Sequence, residues 1–175
     1  MEMKIRIASL LEDSIVDGEG LRLVVFAQGC LHACPGCHNP SSHPLADGYL
    51  VDEEEIIDLL LSNPLLSGIT LSGGEPFLQV EAFTSLCEAI AKVKEELDPE
   101  FTIMAYTGYT LEELLADGNA EKHLPLLEHI DILVDGRFVL KQKSLELKFR
   151  GSKNQRIIDL KQSLNTNTVV PYLMG

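Results

Sequence analysis

Short apolar, strand-like runs alternate with longer amphipathic stretches along almost the whole chain. That alternation is the pattern of a largely parallel α/β sheet with crossover helices. The expected strands are Ile5–Leu10, Leu21–Ala27, Ile69–Leu71, Phe101–Tyr106, Ile132–Val134 and Gln155–Asp159. Between them, Val51–Leu61, Val80–Leu97, Leu111–Ala116 and Leu124–His129 carry helical periodicity, and the tail reads as irregular. A complete eight-stranded β/α barrel takes about 250 residues, and this chain has 175. The expectation is therefore an α/β protein built as an open partial barrel of about five or six strands. A hydrophobic content of 45%, with no repeat or low-complexity segment, points to a single domain over residues 1–175.

In sheets of this kind the working residues gather at the carboxyl ends of the strands. The unusual residues of this chain follow strands. Cys30, Cys34 and Cys37 come after the first core strand, Ser72-Gly73-Gly74-Glu75-Pro76 after the next, Tyr106-Thr107-Gly108 after the third, and Asp135-Gly136-Arg137 after the fourth. All four segments should line one rim. The C-x3-C-x2-C spacing puts three thiols on one tight loop. Three thiolates can hold three irons of a 4Fe-4S cluster and leave the fourth iron open to a small molecule, whereas a pure electron-transfer cluster normally takes four Cys. His32 and His38 lie in or beside the loop, so a Cys3His structural zinc site is the competing reading. Cys87 recurs with Phe83, Leu86 and Ile90 at helical spacing and reads as core.

The chain shows no signal peptide and no apolar run long enough to span a membrane, which favours a reducing cytoplasm over a disulfide framework. A net charge of −13 without a long basic stripe disfavours non-specific binding to nucleic acid or to anionic membranes. The acidic tract Asp52–Glu55 is explained by the dipole of the helix it begins. Gly73 and Gly74 let the backbone approach a ligand without Cβ clashes, and Glu75 adds a carboxylate able to accept from a cationic amine. A Gly-Gly-Glu-Pro turn alone is also ordinary punctuation.

Taken together, the cysteine spacing and the later Gly73-Gly74-Glu75-Pro76 resemble the radical S-adenosylmethionine (SAM) enzymes. Within them, the chain resembles the glycyl radical activases that serve anaerobic (class III) ribonucleoside-triphosphate reductases. The matching stretches are Val16–Arg22, Gln28–Cys30, Cys34–Pro40, Leu71–Pro76, Tyr106–Gly108, Asp131–Phe138 and Arg150–Arg156. The resemblance implies SAM chelated to the open iron of a cluster on Cys30, Cys34 and Cys37. It implies reductive cleavage of SAM to methionine and a 5′-deoxyadenosyl radical, and hydrogen abstraction from a backbone glycine of the partner reductase. It also implies an electron donor such as a flavodoxin.

By the same resemblance Gly73, Gly74 and Glu75 contact the methionine amino end of SAM, and Gly36, Cys37 and His38 also touch SAM. Thr107 and Asp135 read either as neighbours of the methionine carboxylate or of a bound cation, or as simple turn and strand caps. His32 and His38 are either donors to cluster sulfurs or exposed loop residues. Arg150 and Arg156 are either SAM or partner contacts or surface ion pairs. Many relatives place an aromatic residue before the third Cys, beside the adenine. Here Gly36 occupies that position, which leaves the adenine contact unassigned. Glu19 and His43 replace a frequent Pro and a frequent aromatic, so the loops around them are expected to differ in shape. A barrel lacking strands leaves an open side suited to a macromolecular substrate. The alternatives are another radical SAM enzyme, whether a different activase or a small-molecule enzyme such as a carboxy-deazaguanine synthase, and a non-catalytic zinc or iron-sulfur binding module.

Overall fold

A computed structural model describes residues 3–32, 34–37, 44–45 and 47–173. Its centre is one open sheet of seven strands in the order β3-β1-β2-β4-β5-β6-β7. Strands β2 (Arg22–Ala27), β4 (Gly68–Gly73), β5 (Thr102–Tyr106) and β6 (Ile132–Asp135) run parallel, as their apolar character requires of strands buried on both faces. Three further pairings are antiparallel. β1 (Lys4–Ser14) lies against β2, β3 (Tyr49–Asp52) against the outer edge of β1, and β7 (Arg156–Asp159) against β6. The pairing of β1 with β2 shifts register between Ile7 and Ser9 and again between Leu11 and Ser14, irregularities that bend a long edge ribbon.

The strand count exceeds the expected five or six, and the sheet is mixed rather than largely parallel. The difference lies mainly in β3. Its residues Val51 and Asp52 merge in sequence with the acidic start of α1 (Glu53–Ser62), so the helix was expected to begin at Val51. The remaining helices are α2 (Val80–Lys92), α3 (Leu111–Leu114), α4 (Ala120–Leu127) and α5 (Leu160–Thr166). The last occupies the tail that was expected to be irregular. It is capped by Asp159, whose side chain accepts from the Gln162 N–H at 3.1 Å.

Strand alternation divides the sheet into two faces. Leu23, Val25, Ala27, Ile69, Leu71, Ala105 and Leu133 point to the helical side and pack with Ile56, Leu60, Phe83, Leu86 and Leu126 in one continuous buried core. The opposite face carries a smaller apolar floor of Met104, Ile132 and Val134, with Tyr106, Phe149, Ile157 and Tyr172 packed on it. Beside that floor Arg22 is fully buried. Its guanidinium donates to Thr70 Oγ1 (2.8 Å), Thr102 Oγ1 (2.9 Å) and the carbonyls of Glu19 (3.1 Å), Ile69 (2.9 Å) and Thr102 (2.9 Å). Burial among these neutral acceptors lowers its pKa to about 10. Arg22 thus stitches β2, β4 and β5 together below the strand ends that carry the site.

Candidate functional site

β2 delivers the chain into the cysteine loop. Gly29 takes φ +105°, and a tight turn at Pro35-Gly36 closes with the Cys37 N–H on the Cys34 carbonyl at 3.1 Å. Gly36 sits at φ +76°, a conformation that favours glycine. Cys30, Cys34 and Cys37 form no disulfide and are partly exposed, and all three line one open cleft of about 340 Å³. Residues from the other three strand ends share that cleft: Ser72, Gly73 and Gly74 at the end of β4, Tyr106, Thr107 and Gly108 at the end of β5, and Gly136 and Phe138 after β6. Cys87 lies elsewhere, buried in α2 within the core, where desolvation pushes its thiol up to about 12.

The Gly-Gly turn is tied directly to the cysteine loop. Gly74 N–H donates to the Ala27 carbonyl and Glu75 N–H to the Gly29 carbonyl, both at 2.7 Å. Gly73 adopts φ +89°, and a Cβ there would stand 2.5 Å from the Ala27 nitrogen, so only glycine lets the strands come this close. Glu75 itself turns inward and is buried, although it was expected to face a ligand amine. Its Oε1 accepts from His32 Nε2 (2.7 Å), Gly108 N–H (2.8 Å) and the Thr107 hydroxyl (3.0 Å). Its Oε2 accepts from Phe77 N–H (3.0 Å) and the same hydroxyl (2.9 Å). A buried carboxylate with this many donors needs no external cation.

This arrangement also corrects the picture of His32 as an exposed loop residue. Its side chain is only 6% exposed, stacks edge-on against Tyr109 at 4.6 Å and binds Glu75. Gly108 packs so closely on the His32 ring that a Cβ would fall 2.4 Å from it. Glu75 therefore joins three segments: the cysteine loop through His32, the turn after β5 through Thr107 and Gly108, and its own turn through Phe77. No periodicity or spacing signals such a hub, because its partners come from across the sheet.

Thr107 reaches the cleft, with its hydroxyl committed to Glu75 and accepting from Tyr109 N–H at 3.1 Å. Asp135 does not line the cleft. Its carboxylate accepts from Leu111 N–H (2.8 Å) and from Arg156 Nε (3.0 Å) and Nη2 (2.5 Å), so it fastens the start of α3 to β7. Arg156 also grips Glu112, and these two carboxylates raise its pKa. Arg156 is thus an ion-pairing residue. Arg150 differs, since it lines the cleft and donates to the carbonyls of Gln155 (2.5 Å) and Lys153 (3.3 Å). His38 lies outside the described residues.

The donor set suits a cluster with one open iron: three thiols outside any disulfide on a glycine-closed loop, with the fourth cysteine locked in the core. Among the described residues, no three His, Cys, Asp or Glu side chains stand close enough to grip a single metal ion. A shared cleft beside the thiols leaves room for a small molecule, lined by the Gly-Gly turn and by the aromatic side chains of Tyr106, Phe138 and Phe149.

These features define a class, that of single-cluster iron-sulfur proteins, and residues 16–158 match the family described as "4Fe-4S single cluster domain". Curated relatives narrow it. The chain is 40% identical over 147 residues to a protein of Haemophilus influenzae, covering 82% of this chain and 90% of that one. It is 37% identical over 147 residues to one of Vibrio cholerae, with the same coverage. It is 34% identical over 151 residues to one of Escherichia coli K12, covering 84% and 94%. All three are described as anaerobic ribonucleoside-triphosphate reductase-activating proteins, and this chain belongs to that family. Among solved structures, QueE from Escherichia coli aligns with a TM-score of 0.45 at 15% identity over 61% of this chain and 53% of its own.

Proposed function

We propose that this protein uses a 4Fe-4S cluster on Cys30, Cys34 and Cys37 to cleave SAM reductively and so place a radical on a glycine of an anaerobic ribonucleoside-triphosphate reductase. The observation that carries this reading is the meeting of the three thiols and the Gly73-Gly74 backbone at one open cleft. When bound, the cluster supplies one electron to SAM, whose carbon–sulfur bond breaks. The chain's own residues bind and orient. Gly73 and Gly74 present backbone to the methionine end of SAM, Gly36 keeps the thiol loop tight, and His38 follows the third ligand. Thr107 lines the same cleft. Glu75 and Asp135 act from behind, holding the loops in place through His32, Thr107, Leu111 and Arg156.

The open sheet acts as a partial barrel whose missing side admits a glycine-bearing loop of a large partner. A flavodoxin-type protein supplies the electron, and the setting is the cytoplasm, in keeping with cysteines that form no disulfide and with the lack, among the described residues, of a helix long and apolar enough to cross a membrane.

Anaerobic reconstitution with iron and sulfide, then dithionite and SAM, should release 5′-deoxyadenosine detectable by chromatography. Addition of the family's reductase should give a glycyl radical signal in electron paramagnetic resonance. A protein that loads about four irons per chain and releases no 5′-deoxyadenosine would refute radical chemistry. Release of 5′-deoxyadenosine without a radical on the reductase would point to a different substrate.

A further inference from the structure

The charge of this chain is not spread evenly. Residues 137–156 hold seven of its 14 Lys and Arg and one of its 27 Asp and Glu, so this stretch carries +6 while the remainder carries −19. The stretch is also ordered. An antiparallel bridge between Lys143 and Ser152 folds it into a hairpin, with Lys153 N–H on the Gln142 carbonyl at 3.0 Å and Val139 N–H on Ser152 Oγ at 3.1 Å. We propose that this basic hairpin is the surface that takes hold of an acidic face of the reductase, beside the cleft its glycine-bearing loop must enter. The inference rests on the reading above and adds where the partner is held and by what chemistry.

Three observations support it. First, much of the positive charge is uncompensated. Arg137 pairs with Glu113, and Arg156 with Glu112 and Asp135, but Lys141, Lys143, Lys148 and Lys153 are exposed and make no ion pair among the described residues. In a chain this acidic, four such lysines on one hairpin set up a local positive field that attracts a carboxylate-bearing surface and speeds its approach. Second, the same hairpin exposes apolar side chains. Leu145, between the bridged residues, is 90% exposed and Leu140 is 52% exposed. Apolar anchors within a charged rim suit a protein partner. A nucleic acid backbone calls for charge above all, and the −19 carried elsewhere repels it. Third, the hairpin adjoins the thiols. Phe138, Leu147, Phe149 and Arg150 line the cleft with the three cysteines, and a Cβ at Gly36 would stand 2.8 Å from Leu140 Cδ1. A protein seated on the hairpin therefore lies at the cleft, as one that inserts a loop there must. An electron donor needs only a small contact, so the exposed leucines favour the reductase.

The test is equilibrium binding of the family's reductase to the anaerobically reconstituted protein at low and high salt, with dithionite-driven 5′-deoxyadenosine release and melting temperature recorded for each variant. Lys141→Glu/Lys143→Glu reverses two charges on the hairpin. Lys92→Glu/Lys94→Glu makes the same change at the end of α2, so both proteins have the same net charge. The hairpin variant should bind the reductase about tenfold more weakly at low salt, a deficit that shrinks at high salt as exposed charges are screened, while the α2 variant stays within about twofold of the parent. Leu145→Ser should weaken binding about fivefold at both salts. All three should release 5′-deoxyadenosine like the parent. A hairpin variant that binds like the parent, or an equal loss in the α2 variant, would overturn the inference. So would a folded hairpin variant that no longer cleaves SAM with dithionite, since the hairpin would then shape the SAM site. A loss seen only when flavodoxin replaces dithionite would give the surface to the electron donor, and displacement of the reductase by single-stranded RNA would give it to nucleic acid; either overturns the assignment. A parent that releases 5′-deoxyadenosine yet binds no reductase would sink the partner reading and this inference with it, an outcome distinct from the rest.

Discussion

Glu75 shows how much of this site rests on a single carboxylate. In Glu75→Gln an amide N–H₂ would face the donors of His32, Thr107, Gly108 and Phe77, leaving at least one buried group unpaired. The expected loss is about 1–3 kcal/mol, read as a lowered melting temperature together with reduced iron loading, because His32 would no longer be anchored. Unchanged values of both would show that the hub does not support the cysteine loop. The four thiols offer a second test. The thiolate is the reactive form, and burial pushes Cys87 up to about 12. At pH 8, iodoacetamide should therefore label Cys30, Cys34 and Cys37 in the folded apoprotein and reach Cys87 only in denaturant. Alanine at any of the first three should abolish cluster binding, whereas Cys87→Ala should cost about 1 kcal/mol of stability with iron content unchanged. Iron loss in a folded Cys87→Ala protein would overturn the three-ligand assignment.

Between elements, Arg22 is the strongest tie, joining β2 to β4, β5 and the preceding loop through five hydrogen bonds. Lysine has neither the planar fork nor enough donors to replace it. Arg22→Lys should lower the urea unfolding free energy by about 3 kcal/mol, since several acceptors would be left buried and unpaired; a shift under about 0.5 kcal/mol would show the network to be dispensable. What the sequence reveals at this scale follows from locality. The parallel strands and α2 are readable because their apolar spacing is written in consecutive residues. β3 is not, since four edge residues acquire strand character only by pairing with β1, far away in sequence. α5 had a local signal in Asp159 and Gln162 that could have been used. The site divides in the same way: the thiol spacing and the Gly-Gly turn are local and legible. The inward turn of Glu75 and the His32 pairing depend on contacts across the sheet.

For the molecule as a whole, an open sheet exposes its cleft instead of enclosing it. Oxygen should therefore reach the loaded centre readily. Exposure to air is expected to bleach the brown colour and abolish 5′-deoxyadenosine release, both followed over the same time course, and full activity after prolonged aeration would count against a cluster with an open iron. The hub at Glu75 has a further consequence for how the protein matures. Among the described residues, bonds within the polypeptide position the thiol loop: His32 to Glu75, Gly74 to Ala27, Glu75 to Gly29. In small zinc domains the metal is the framework, and the chain collapses around it. Here the framework is the sheet, so iron and sulfide delivery becomes a loading step onto a finished fold, and a chain stripped of its inorganic centre by air can be repaired by refilling without passing through the unfolded state.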